Sequence, residues 1–174
     1  MKNRWLSLIL VLLLFGCADE KPQLTFKPVS YTGAKCAGCP KISVNIPQAL
    51  ENTKIATTIN TALTEEIIYL LTFDDSVEAT TIDEAITSFK NGFLELKSKF
   101  PDETMGWEAK IDGKVCYNEA DILTIKLDSY IYTGGAHGYG ASTFINFDKL
   151  KGIELENNDL FKNIVNFQKF AEIK

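Results

Sequence analysis

The residues best able to do chemistry in this sequence are its four cysteines and its one histidine. Cys36-Ala37-Gly38-Cys39 has the two-residue spacing of a thiol–disulfide exchange motif. Such a motif wants its thiol at the start of a helix, where the local field lowers the thiol pKa. Here Pro40 is followed by Ile42, Val44 and Ile46 at every second position, the alternation of a strand. That context favours a structural cystine over redox catalysis. A zinc site would need a fourth ligand beside Cys36, Cys39 and Cys116, and His137 is the one candidate left. No metal and no cofactor are expected. With Cys17 assigned to another role, three cysteines leave one thiol over. The pairings Cys36–Cys39, Cys36–Cys116 and Cys39–Cys116 all stay open.

Cys17 closes the leader. Lys2 and Arg4 precede an apolar run over residues 6–15, and Leu14-Phe15-Gly16 stands directly before the cysteine. A positive start, a short apolar stretch and a small residue before the cut mark a signal peptide. The run is shorter than the about 20 residues that a bilayer span needs. An aliphatic residue three before the cysteine and a glycine beside it resemble the bacterial lipobox, so Cys17 is expected to be the acylated residue. Phe15 is bulkier than that pattern usually carries. The expected location is the cell envelope, lipid-anchored, on the periplasmic or cell-surface face of the outer membrane. Ala18-Asp19-Glu20-Lys21-Pro22 reads as the start of a tether, and its acidic pair resembles a surface-export signal. Removing the leader with Lys2 and Arg4 makes the formal net charge two units more negative than −5. An acidic domain argues against nucleic acid and anionic headgroups as partners.

His137 sits in Gly134-Gly135-Ala136-His137-Gly138. A general base would want a nucleophile or metal nearby, and the sequence names none. Asp128 and Asp148 flank the loop only in sequence. Adjacent glycines allow positive φ and close backbone approach, so the loop reads first as a structural corner. Trp107, Tyr117, Tyr130, Tyr132 and Tyr139 invite a sugar-stacking reading, but strands are ordinarily rich in aromatic residues.

The elements that must position these residues follow from periodicity. Lys41 to Ile46 alternates and ends at Pro47. Ile55, Ile59, Leu63, Ile67 and Leu71 form one stripe of a helix running from about Ala49 to Leu71. Thr81 and Glu84 have capping-box spacing, and Ile82, Ile86, Phe89, Phe93, Leu96 and Phe100 continue a second helix to Pro101. From Thr104 the pattern turns to strands. Asp112-Gly113 is expected to turn a hairpin, and residues 118–121 another. Ile122 to Thr133 is the longest strand, with Leu123, Ile125, Leu127, Ser129 and Ile131 toward the helices. Ala141 to Phe147 and Ile153 to Leu155 are further strands, and Asn158 is expected to cap a last helix. The fold class is α+β, two helices packed on one face of an antiparallel sheet.

The ordered set Tyr130-Ile131-Tyr132-Thr133, Gly134-Gly135-Ala136-His137-Gly138, Tyr139-Gly140, Phe144-Ile145-Asn146-Phe147-Asp148, Gly152 and Asn158-Asp159-Leu160-Phe161 resembles a family of bacterial envelope domains. They form the extracellular part of RsiV-type anti-sigma factors and the non-catalytic N-terminal part of PdaC-type peptidoglycan deacetylases, and they occur as stand-alone lipoproteins. Ile59-Asn60 in the first helix fits the same pattern, and the resemblance covers about residues 40 to 165. It implies ligand recognition. In the RsiV type the ligand is lysozyme. The catalytic domain of the deacetylases is not recognisable in this sequence. The expected organisation is a leader over 1–16, a tether over 17–35, an α+β envelope domain over 36–140 and the start of a second, truncated subdomain over 141–174. The expected function is non-catalytic binding of lysozyme or a cell-wall fragment, with Gly134, Gly135, His137 and Tyr139 as the ligand-binding loop. The alternatives are a peptidoglycan-modifying enzyme that uses His137, and a structural lipoprotein of an envelope complex.

Overall fold

The computed structural model describes residues 24–36, 38–73, 78–102 and 106–173. The leader and Cys17 lie outside the described residues. The chain builds an α+β fold whose six strands form one sheet in sequence order: β1 (Phe26–Thr32), β2 (Lys41–Ala49), β3 (Glu108–Glu119), β4 (Ile122–Tyr132), β5 (Tyr139–Asp148) and β6 (Ile153–Leu155). Two long helices, α1 (Lys54–Leu71) and α2 (Ile82–Lys99), connect β2 to β3. A helical crossover returns the chain to the same end of the sheet, so β2 and β3 run parallel. The sheet is therefore mixed, with every other pair antiparallel.

Two segments differ from the expected boundaries. Residues 26–32 pair with β2 through seven residue pairs and are a strand rather than tether. Residues 141–148 continue β5 in the same sheet rather than opening a separate unit, because Ile131 to Ile122 of β4 pairs with Tyr139 to Asp148 throughout.

The core lies between the sheet and the two long helices. Ile42, Val44 and Ile46 of β2 and Leu123, Ile125 and Leu127 of β4 are buried, as their alternation requires. The α1 stripe of Ile55, Ile59, Leu63, Ile67 and Leu71 is buried against them. This helix begins five residues later than its apolar pattern suggested. Thr53 is its N-cap, accepting from the Ala56 N–H at 3.3 Å. Ala49 instead ends β2 and is held there by Asn60, whose Oδ1 accepts from the Ala49 N–H at 2.9 Å while its Nδ2 donates to the Ala49 carbonyl at 3.0 Å. The capping box at Thr81 and Glu84 forms as expected.

Asp112-Gly113 does not turn the chain. β3 runs straight through it, pairing Asp112 with Asp128 and Gly113 with Leu127. A Cβ on Gly113 would lie 2.8 Å from Leu127 Cδ2, 3.1 Å from Pro47 Cδ and 3.2 Å from Ile46 Cγ2. The glycine marks a close approach inside a strand, the second meaning of Gly in such a pattern. The turn comes at Ala120-Asp121, where Ala120 adopts φ 45°. Beyond β6, Asn163 rather than Asn158 caps the last helix, α3 (Ile164–Glu172), by accepting from the Asn166 N–H at 3.0 Å. Residues Asn157–Leu160 form a 3-10 turn.

Candidate functional site

The loop between β4 and β5 is shaped by its glycines. Gly134 (φ 97°) and Gly135 (φ 91°) occupy backbone conformations that L side chains rarely adopt. The Tyr132 hydroxyl donates to the Gly135 carbonyl at 2.9 Å and ties the corner to the end of β4. A Cβ on Gly138 would stand 2.6 Å from the Tyr130 ring, so the third glycine lets β5 leave the loop past that ring. Beneath the loop, a Cβ on Gly134 would meet the indole Nε1 of Trp107 at 3.8 Å. Trp107 itself is 2 % exposed and packs against the rings of Phe73, Phe89 and Phe93 at 4.8, 5.2 and 5.9 Å. The loop therefore stands on an aromatic cluster that also packs the middle of α2 and the segment just past the end of α1.

A cleft of about 780 Å³ opens between this loop and the C-terminal turn of α1. Thr133, Gly134, His137, Gly138 and Tyr139 line one side, and Ile68, Tyr69, Leu70 and Thr72 the other, with Glu78 and Ala79 following. Tyr69 is 80 % exposed and Tyr139 is 71 % exposed, so the cleft has an aromatic ring on each bank. His137 is exposed on its rim. Of the residues singled out from sequence, Gly134, His137 and Tyr139 meet in the cleft, while Gly135 shapes the corner without lining it. Trp107 belongs to the core, and Tyr117 and Tyr130 stand exposed away from the cleft lining. The α1 bank was not foreseen. The signal for it is Tyr69, a large aromatic on α1 outside the buried stripe.

The other singled-out residues lie elsewhere. Asp148 accepts from the Leu150 and Lys151 N–H groups at 3.0 and 2.9 Å, which organises the turn into β6. Cys36 and Cys39 are bonded to each other, with Cα atoms 5.3 Å apart, and Cys116 is a free, exposed thiol. The register settles that choice. Glu108 pairs with Lys41, and Cys116 is eight residues further along β3. At about 3.3 Å per residue the two ends are roughly 26 Å apart, far beyond disulfide reach. Among the described residues no group of three His, Cys, Asp or Glu side chains comes together in a way that could hold a metal ion.

On the sheet face away from the helices, polar side chains link β1 to β2 to β3, and β4 to β5. Ser30 Oγ donates to Asn45 Oδ1 at 2.8 Å, and Asn45 Nδ2 donates to Asp112 Oδ1 at 2.9 Å. Asp112 lies opposite Asp128, which accepts from Ser142 Oγ at 2.6 Å and pairs with Lys126. The Asn45 amide, and after it the Lys110 ammonium at 3.1 Å, hold the Asp112 carboxyl below its ordinary pKa. A carboxyl whose folded pKa is depressed contributes stability above its unfolded value and loses it as pH falls through the folded one. Asn45→Ala should therefore destabilise the domain at neutral pH, and the gap from the parent should shrink as pH is taken below about 4. Urea denaturation of both proteins across that range checks this; a gap independent of pH would remove Asp112 from the explanation.

No curated protein matches the chain. Among solved structures it is similar to a DUF3298 family protein from Pseudomonas aeruginosa PAO1, at 20% identity and a TM-score of 0.56, over 91% of this chain and 66% of that one. It is also similar to a member of the DUF3298 family from Bacteroides fragilis NCTC 9343, at 17% identity and a TM-score of 0.54, over 79% of this chain and 60% of that one. At these identities the likeness is one of fold. The chain spans less than two thirds of the second structure and just under that share of the first. Among the described residues no helix is long and apolar enough to cross a membrane. A family model described as Deacetylase PdaC, whose domains are extracytoplasmic, matches residues 35–139, and with more than half of its length matched the chain belongs to the PdaC family.

Proposed function

We propose that this chain is a lipid-anchored, non-catalytic binding protein of the cell envelope, and that the cleft between α1 and the β4–β5 loop receives a cell-wall glycan fragment. The observation that carries the reading is the pair of exposed rings, Tyr69 and Tyr139, on opposite banks of the cleft. Exposed tyrosines offer the apolar faces of sugars a flat partner and keep a hydroxyl for their polar edges. The volume lies within the range of small-ligand sites, about 300–1,000 Å³. A protein ligand such as lysozyme would engage about 800 Å² on each partner, an area that reaches beyond this cleft. Membership of a family of envelope domains supports the location, and the leader ending at Cys17 supports the lipid anchor.

Calorimetric titration of the purified protein with muropeptides and, separately, with lysozyme tests the reading. Muropeptide binding is expected, and Tyr69→Ala and Tyr139→Ala should each weaken it about tenfold, since one aromatic contact contributes about 1 kcal/mol or somewhat more. His137→Ala should alter affinity without any turnover in parent or variant. Binding of lysozyme alone would replace the glycan by a protein ligand. Muropeptide affinity untouched by both tyrosine variants would remove the cleft from the proposal. Mass spectrometry of the native product should find an acylated Cys17 as the first residue; an intact initiator end would remove the anchor.

A further inference from the structure

The Cys36–Cys39 cystine has no part in the cleft, and its surroundings give it a chemistry of its own. It forms one wall of a cavity of about 580 Å³ at the start of β2 and β3. Lys35, Lys41 and Lys110 line the same cavity, with Glu108 the one acidic residue among them. A fourth amine comes from α2: a Cβ on Gly38 would lie 3.2 Å from Lys97 Nζ. Lys110 is engaged by Asp112 at 3.1 Å, whereas Lys35 and Lys41 form no ion pair among the described residues. Cys36 is exposed and Cys39 half-buried.

A purely structural role for this bond is weak on two grounds. A bridge that closes so short a loop removes little entropy from the unfolded chain. The strands it neighbours are already in register through seven pairs, extended by the Gly33 N–H donating to the Ile42 carbonyl at 3.2 Å. What the site offers instead is an accessible sulfur, a cavity beside it that lysines line, and the Lys97 ammonium close to Gly38 between the two cysteines; positive charge beside a cysteine favours its thiolate form.

We infer that Cys36–Cys39 is an exchange-active disulfide that accepts two electrons from a dithiol. A thiolate of the dithiol attacks the exposed Cys36 Sγ. The Cys36–Cys39 bond breaks, and its electron pair leaves on Cys39 as a thiolate beside the lysines. The second thiolate of the dithiol then attacks its own first sulfur, releasing Cys36 as a thiol. The dithiol ends as a disulfide and its two protons end on Cys36 and Cys39. The lysines act on both the leaving group and the transition state, because a better-stabilised thiolate leaves faster. Among the described residues no helix begins at this motif, so the site takes part in exchange without the geometry of a thioredoxin-type catalyst. The inference is independent of the cleft and its ligand.

The test follows reduction of the oxidised full-length chain by dithiothreitol at neutral pH, with alkylation and peptide mapping reading Cys36 and Cys39 separately from the other cysteines. Joint replacement Lys35→Gln, Lys41→Gln and Lys97→Gln should slow reduction at least about fivefold, and the matching Lys→Arg set should keep the parent rate. The reduced chain should keep its far-UV circular dichroism and stay folded. A glutamine set within about twofold of the parent rate, or an arginine set as slow as the glutamine set, would overturn the proposal. So would unfolding on reduction, which would show that the bond is structural.

Discussion

Trp107→Ala is expected to cost about 3–5 kcal/mol, a large part of the roughly 5–15 kcal/mol that holds a typical domain together. The side chain is almost fully buried, and three phenylalanine rings, two from α2 and one just past α1, meet it within 6 Å. Removing it leaves a cavity that those rings cannot close from one side, because Phe89 and Phe93 share one face of α2 while Phe73 lies just beyond the end of α1. Trp107→Phe keeps most of the volume and should cost about 1–2 kcal/mol. Urea midpoints followed by far-UV circular dichroism give both values. If the proposed cleft is the ligand site, Trp107→Ala should also weaken binding at temperatures where the protein remains folded, because Gly134 rests on the indole. Equal stability of the alanine and phenylalanine variants would mean that the aromatic cluster is not what joins helices to sheet.

Gly92→Ala should destabilise the domain by about 1–2 kcal/mol, against the usual direction. Inside an exposed helix the same change stabilises by about 1 kcal/mol through backbone entropy. Here the new methyl group would fall 2.5 Å from Phe73 Cγ and 3.0 Å from its Cβ, with Cδ1 nearer still. These atoms sit close to the backbone, so Phe73 has to move as a whole and gives up its contact with Trp107. Overpacking of this kind costs about 1–3 kcal/mol and exceeds the helix gain. A cycle with Phe73→Leu separates the two contributions. On top of Phe73→Leu, Gly92→Ala should lose most of its cost, and a cost that persists unchanged would place the strain somewhere other than Phe73.

The sequence was legible where one period dominates. The stripe of α1, the capping box of α2 and the alternation of β4 each followed from side chains that repeat at fixed intervals and have one buried face. It misled where a residue type has two physical uses. Asp112-Gly113 has the composition of a tight turn, yet the glycine is there because Leu127, Pro47 and Ile46 crowd it. β1 reads as tether because Lys27-Pro28 interrupts its pattern, and an edge strand tolerates a proline that a central one would not. The cleft was half visible. The loop announced itself through its glycines and His137, but Tyr69 faces it from α1, about 65 residues earlier, and no local rule links the two. The cystine pairing needed the register of β2 on β3 before distance could decide it.

The parallel contact of β2 with β3 has a temporal consequence. Asn45 meets Asp112 from 67 positions away, so a nascent chain that has made β1 and β2 has an incomplete sheet until both long helices and the next strand have been synthesised. Pairings of such long range make assembly slow, because loop closure must precede any reward from contact. The amino-terminal third should stay open and accessible to chaperones during synthesis and gain protection from hydrogen exchange only together with β3, in a single late step rather than as an early hairpin.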